Sequence, residues 1–350
     1  MFLSLVRDAV FSHGFRHLPR RTWIAFRQLP RLAEYVLNRL SSGRLCSSAP
    51  HTLALFGLRQ EVPDCCGMLT PEERGYFYAY ARRLFTGSGE IVDLGCWLGA
   101  TTIPLAAGLA ANPQPNAARC MVHAYDRFIW EDWMTGADLL GNPPLTRTFR
   151  SKDSFLGEFH ERTEPWKERI AVHQADLLTE GWRSRLPIEF LLVDAMKSWE
   201  LTNSIVRSFF PALVPGRSIV VHQDFAFWGE PWVHLINYRL REYFDPLYHV
   251  PNSGSMVFRL RTHIPEDVLS VTYSYDSFSP EDIDAAIAYS VGLVSAPLRP
   301  DVLAVKVLIH VHRGDLVAAR QLLDQYRAQG IRVSSGIRVV AQRAGTEPWA

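Results

Sequence analysis

The stretch Glu90-Ile-Val-Asp-Leu-Gly-Cys-Trp-Leu-Gly99 decides the fold. A short apolar strand carries a carboxylate, Asp93, near its end. Gly95 and Gly99 then open Ala100-Thr-Thr-Ile-Pro-Leu-Ala-Ala-Gly-Leu-Ala, which reads as a helix packed close to its strand. Glycine permits a sharp backbone turn and lets a ligand approach with no Cβ in the way. The spacing is G-x-x-x-G after an acid, not the G-x-G-x-x-G of a dinucleotide fold, whose helix N-terminus faces a pyrophosphate. A strand-end aspartate repels that anion and suits a cationic or hydroxyl-bearing ligand.

On the N-terminal side of this stretch, Thr70-Pro71-Glu72-Glu73 is a helix start, with Thr70 as N-cap, Pro71 in the first turn and Glu73 placed for a capping box. The helix is predicted to run to about residue 85, where Gly87-Ser88-Gly89 stops it. On the C-terminal side, further strands are predicted over 121–125, 170–174, 190–193 and 218–221, separated by stretches long enough for crossover helices. Strands alternating with helices make a mostly parallel α/β sheet. A helix over 231–243 and a strand pair over 244–250 and 255–261, turning at Pro251-Asn-Ser-Gly254, close it at seven strands. Helical sequence follows from Pro280, Pro300 and Asp315, the last two joined at Arg313-Gly314 as a hairpin of the repeat-protein type. The expected organisation is a basic amphipathic segment over 1–64, the sheet domain over 65–262 and a helical appendage over 263–350.

Two more acids fall at strand ends. Asp126 ends the second strand and is placed to accept hydrogen bonds from ribose hydroxyls; Asp176 follows the third and could face an adenine amino group. One such acid is most often a helix N-cap. Three in register behind a glycine loop are expected to hold S-adenosylmethionine, whose sulfonium, ammonium and ribose hydroxyls match them.

These residues, with Asp194, resemble the class I S-adenosylmethionine-dependent methyltransferases over about residues 88–260, a Rossmann-like seven-stranded fold. Tyr125-Asp-Arg-Phe, Phe190-Leu-Leu-Val-Asp194 and Pro215-Gly216 are most similar to the macrocin O-methyltransferase and cephalosporin-hydroxylase-like group. The resemblance implies a divalent cation, held by the aspartate after strand four and by an acidic pair after strand five. Here the second site reads His222-Gln223-Asp224, with a one-residue register open. On an extended strand end His222 and Asp224 share a face, so Asp194, His222 and Asp224 form a candidate metal set for Mg²⁺, Mn²⁺ or a softer ion. The resemblance also implies Lys197, three residues after Asp194, as a base that ionises an acceptor hydroxyl; a surface lysine is the alternative. His222 is likewise a candidate base or ligand, against a satisfied strand-end histidine. Trp130, Trp133, Phe225, Phe227, Trp228 and Trp232 could line a mouth for a sugar ring or planar acceptor, or pack between sheet and end segments.

Composition sets the outer limits. The chain has 350 residues, and 37 Lys+Arg against 36 Asp+Glu give a net charge of +1, no footprint of a nucleic-acid binder. Five cysteines, at 46, 65, 66, 96 and 120, lack zinc-site spacing and disulfide-scaffold density, and read as reduced thiols of a cytoplasmic protein. The opening apolar residues are interrupted by Arg7 and Asp8 before they could form a signal-peptide core. Residues 1–45 interleave eight arginines with aromatic residues, a pattern for docking, partner contact or peripheral binding to an anionic membrane. The expected activity is O-methylation of a sugar or natural-product-like small molecule, with S-adenosylmethionine and a divalent cation. Two alternatives stay open: a hydroxylase-like member of the same group and a non-catalytic scaffold that keeps the fold. Homo-oligomerisation stays open too.

Overall fold

The computed structural model describes residue 51 and residues 62–65, 67–135 and 144–349, so most of the basic 1–64 segment lies outside the described residues. One seven-stranded sheet organises the chain: β1 (Glu90–Leu94), β2 (Val122–Asp126), β3 (Ile170–Gln174), β4 (Ile188–Val193), β5 (Ile219–His222), β6 (Phe244–His249) and β7 (Met256–Leu260). The strand order is β3-β2-β1-β4-β5-β7-β6. Neighbours among the first five strands pair in parallel, and only β7 runs against β5 and β6. This is the Rossmann-like, mostly parallel seven-stranded sheet expected from the sequence. The order reverses outward from β1 and β4, so their carboxyl ends form the crevice where open α/β sheets place ligands.

Helices cover both faces. The predicted start at Thr70 is built as a full capping box: Glu73 N–H donates to Thr70 Oγ1 at 3.2 Å and Thr70 N–H to Glu73 Oε2 at 2.8 Å. α1 (Pro71–Ala79) continues as a wider π-type turn, Tyr80–Leu84. Its Phe77 and Tyr80 pack on Phe190 of β4. α2 (Thr102–Ala110) lies beside it, close enough that a Cβ on Gly108 would stand 2.4 Å from the Tyr78 carbonyl oxygen. α3 (Leu156–Thr163) precedes β3.

The opposite face carries α4 (Trp199–Phe209) and α5 (Pro231–Arg239). One hydrophobic core there joins Val92 and Leu94 of β1, Leu191 and Val193 of β4 and Val220 of β5 to Ile205, Val233 and Ile236 of those helices. Beyond the sheet, residues 263–349 carry α6 (Pro280–Leu293), α7 (Arg299–His312), α8 (Leu316–Ala328) and α9 (Ser335–Arg343). Gly314, at φ +74°, turns α7 into α8. The same core also takes Ile283, Ile287, Leu293, Val302, Val305 and Ile309, and residues 50–350 form one compact unit. Each such buried side chain contributes about 1.5–3 kcal/mol, which fastens α6 and α7 to the sheet's own core. α8 and α9 add a second, smaller core against α7.

Candidate active site at the carboxyl edge of the sheet

Every residue of β1 is buried, and the chain must leave the strand sharply. Gly95 does so at φ +90°, where a Cβ would lie 2.6 Å from the Asp194 carbonyl oxygen. The close approach is used: Asp194 N–H donates to the Leu94 carbonyl at 2.9 Å, so the ends of β1 and β4 are stapled together. Gly99, again at φ +90°, donates to the Cys96 carbonyl at 2.8 Å and delivers the chain into α2. Between the glycines, Trp97 takes φ +41°, an uncommon conformation for a large side chain.

The acids account for this geometry. Asp93 is fully buried, and its Oδ2 accepts from the hydroxyls of Thr101 at 2.7 Å and Thr102 at 2.6 Å. Its Oδ1 is buried without a partner. Burial, opposed by the two threonines and reinforced by Asp126, pushes the Asp93 carboxyl up to about 6. Asp126 Oδ2 accepts the N–H of Trp97 at 2.9 Å, and Oδ1 accepts that of Phe128 at 2.8 Å. Asp126 thus holds Trp97 in place; burial raises its carboxyl, against those two donors. Trp97 stacks towards Trp130 and Trp133, and its indole Nε1 is another buried polar atom with no partner. Asp176 stands apart. It is exposed and caps its own turn, with Oδ1 accepting from Leu178 N–H at 3.0 Å, the common N-cap role of such an acid.

The β4–β5 edge is built differently. Lys197 projects its ammonium between carboxylates from three elements: 2.8 Å from Asp194 Oδ1 in the loop after β4, 2.9 Å from Glu230 Oε1 before α5, and paired with Asp224 Oδ2 in the turn after β5. Burial works against this charge, but Asp194, Asp224 and Glu230 outweigh it and hold Lys197 well above the ordinary lysine range. An ammonium bound this way has no lone pair to offer, so Lys197 is a resident cation here and not the base expected of it. Burial also raises Asp194 and Glu230, each opposed by Lys197.

The expected metal set does not assemble. β5 begins and ends one residue later than predicted and so includes His222, which pairs in register with Val193. Paired residues share a face, so His222 follows Val220 into the core while Asp194, one step beyond Val193, takes the opposite side. The His222 ring packs against Phe258 and lines a small internal cavity with Phe210 and Ile236. Burial, with His234 nearby, pulls its pKa down to about 3, a neutral core imidazole rather than a base or ligand at this edge. The chain turns after His222, which removes Asp224 from the strand period. Among the described residues no group of His, Cys, Asp or Glu is arranged to hold a metal ion.

The aromatic residues divide. Trp130 is buried against Phe149, Trp133 is half exposed beside Trp97, and Phe225 is core. Trp232 donates to the Met196 carbonyl, bracing the loop that carries Lys197. Trp228 is covered by α9, where a Cβ on Gly336 would lie 2.6 Å from Trp228 Cβ.

Sequence reasoning missed Glu230 and a second role of Glu73. Glu230 sits before Pro231 as an ordinary helix-start acid, and nothing in its spacing ties it to Lys197. Glu73 beyond its cap accepts the Ser255 hydroxyl at 2.6 Å, joining α1 to the β6–β7 turn that backs Gln223.

No protein-family model and no curated protein matches the chain. Solved structures similar to it include the O-methyltransferase NovP, at 12% identity and a TM-score of 0.42 over 62% of this chain and 100% of that one. A SAM-dependent O-methyltransferase from Thermotoga maritima shares 14% identity at a TM-score of 0.34 over 61% of this chain and 72% of that one. The N-methyltransferase NodS from Bradyrhizobium japonicum WM9 shares 17% at 0.32 over 55% and 98%. Likeness at this level bears on neither substrate nor chemistry, and the strand order above stands on its own.

Proposed function

We propose that the chain is an S-adenosylmethionine-dependent methyltransferase that methylates a hydroxyl of a sugar or natural-product-like small molecule. One observation carries the reading: Asp93 Oδ1 is buried and unpartnered behind a glycine loop, at the crevice of a sheet ordered β3-β2-β1-β4-β5-β7-β6. A buried carboxylate oxygen without a donor is costly, by about 1–3 kcal/mol or more, and a cationic ligand removes that cost. The cofactor's ammonium and sulfonium are such charges, and Trp97 Nε1 is a spare donor on the same loop. Asp93 and the Gly95–Gly99 loop would hold the cofactor, with Asp126 fixing the loop. When bound, S-adenosylmethionine supplies an electrophilic methyl group on sulfur. The acceptor hydroxyl would be oriented by Lys197 and Asp224, and displacement would owe its rate mainly to that positioning. The narrower likeness to the macrocin O-methyltransferase group, carried by Tyr125-Asp-Arg-Phe, belongs to this proposal.

A scaffold reading is favoured by Asp126, both of whose oxygens already serve protein N–H groups. Isothermal calorimetry separates the two: the enzyme binds S-adenosylmethionine and loses that binding in Asp93→Ala, whereas a scaffold shows no heat with either protein.

A further inference from the structure

We infer that Lys197 is this site's built-in substitute for a divalent cation, so that the acceptor hydroxyl is activated without metal. The inference rests on the methyltransferase reading above. Three carboxylates from separate elements, Asp194, Asp224 and Glu230, converge on one point, and the ammonium fills it at 2.8 Å and 2.9 Å from two of them and in direct contact with the third. As they stand around Nζ the oxygens are not arranged for a metal ion, and a Mg²⁺ ion, which needs about 2.0–2.1 Å to each ligand oxygen, would have to displace the ammonium. Two cations cannot share that point. The remaining ligand position is lost as well, because the register of β5 sends His222 to the core face. The Trp232–Met196 bond braces the loop from behind, and the Lys197 side chain stays 44% exposed, open to an arriving acceptor.

The proton stays on this chain's own groups, and S-adenosylmethionine would supply the methyl group. The acceptor oxygen takes one N–H donor of Lys197 from Asp224, and the carboxylate so released accepts the hydroxyl proton. The oxygen's electron pair forms the new bond to the methyl carbon as the carbon–sulfur pair returns to sulfur, leaving a neutral thioether. Lys197 remains an ammonium throughout.

The test uses Mn²⁺ alone on the full chain, read by electron paramagnetic resonance and calorimetry, for wild type, Lys197→Ala and Lys197→Arg. The expected result is no wild-type binding below millimolar Mn²⁺, at least a tenfold gain in affinity for Lys197→Ala, and wild-type behaviour for Lys197→Arg. Lys197→Gln, which keeps the stem, replaces the alanine variant if circular dichroism shows that one unfolded. Micromolar Mn²⁺ binding by wild type that disappears in Asp194→Asn would overturn the inference. So would a folded Lys197→Ala or Lys197→Gln with no gain, since the vacated carboxylates would then be no cation cage. Calorimetry of wild type with S-adenosylmethionine is run alongside: absent heat there sinks the methyltransferase reading, whatever Mn²⁺ does.

Discussion

The two halves of the crevice solve one electrostatic problem in opposite ways. At β1–β2, Asp93 and Asp126 are hydrogen-bonded by uncharged donors, two threonine hydroxyls and two backbone N–H groups, and one carboxylate oxygen is left over. At β4–β5, Asp194, Asp224 and Glu230 are gathered round a permanent positive charge, Lys197. Hydrogen bonds from neutral groups leave a carboxylate's charge uncancelled, whereas the ammonium offsets one of the negative charges gathered round it. The first half is left one donor short, which the proposed cofactor would supply, and the second carries its cation within. The difference teaches that acids at neighbouring strand ends can have opposite needs, set by the donors the chain brings to them.

The largest test of this contrast is at Asp93. Asp93→Ala is expected to lower S-adenosylmethionine affinity about 100-fold or more in calorimetry, the loss of a charged, buried hydrogen-bond acceptor. Gly99→Arg should do the same, because its side chain enters the loop, and should lower stability as well, because an L residue is strained at φ +90°. Unchanged affinity in both folded variants would break the comparison. Next comes Gly95→Ala, which touches both halves at once, since its Cβ would meet the Asp194 carbonyl oxygen at 2.6 Å. Strain and overpacking predict about 2–4 kcal/mol of destabilisation in urea unfolding, and a loss under 1 kcal/mol would mean that the staple between β1 and β4 is soft.

A smaller effect concerns pH. Asp93 titrates near 6 in the folded chain against an ordinary 3.8, so folding favours its protonated form. Its contribution to stability is full below about 4, declines as pH rises to about 6 and is flat beyond. Asp93→Asn should abolish that decline, and at pH 7 should be more stable than wild type by on the order of 1–3 kcal/mol while binding the cofactor poorly. Saturating cofactor should narrow the gap by stabilising wild type alone. The smallest effect at neutral pH is at His222, whose pKa near 3 lies below the ordinary 6.5, so that its linkage acts on the acid limb alone. Neutral His222 adds stability that is complete above about 6.5 and lost as pH falls towards 3. His222→Gln should flatten that acid limb in thermal melts and leave the neutral-pH behaviour of the Lys197 cluster unchanged; a shifted Mn²⁺ response in this variant would return His222 to the site.

The elements were legible because their signals are local. Thr70-Pro-Glu-Glu carries its own cap, the glycines around Trp97 announce a turn that only they can make, and the alternation of apolar runs with long connections dictates crossovers. Partnership was far less legible. Asp126 was placed correctly at the end of β2, but that it would accept the N–H of Trp97 depends on Trp97 adopting a positive φ, which no spacing rule gives. The His222 error was a matter of one residue: a strand end set at 221 frees the next side chain to face the crevice, whereas pairing with Val193 fixes it in the core. The Lys197 cluster needed three carboxylates whose sequence separations, up to 36 residues, are set by the turn after β5 and the start of α5. Side-chain direction at strand ends is decided by pairing with a neighbouring strand, and that information is absent from the strand itself.

The continuity of the core from the sheet into α6 and α7 has a consequence in time. α5 offers Val233, Leu235 and Ile236 to a surface that Ile283, Ile287 and Val302 complete, yet residues 263–349 are synthesised after the last strand. At about 5–20 residues per second, a ribosome takes roughly 4–17 seconds to make them. Any sheet that forms during that interval has one helical layer still bare. That interval gives a holdase chaperone its opening on the nascent chain, and a stop codon placed after β7 makes the bare layer permanent.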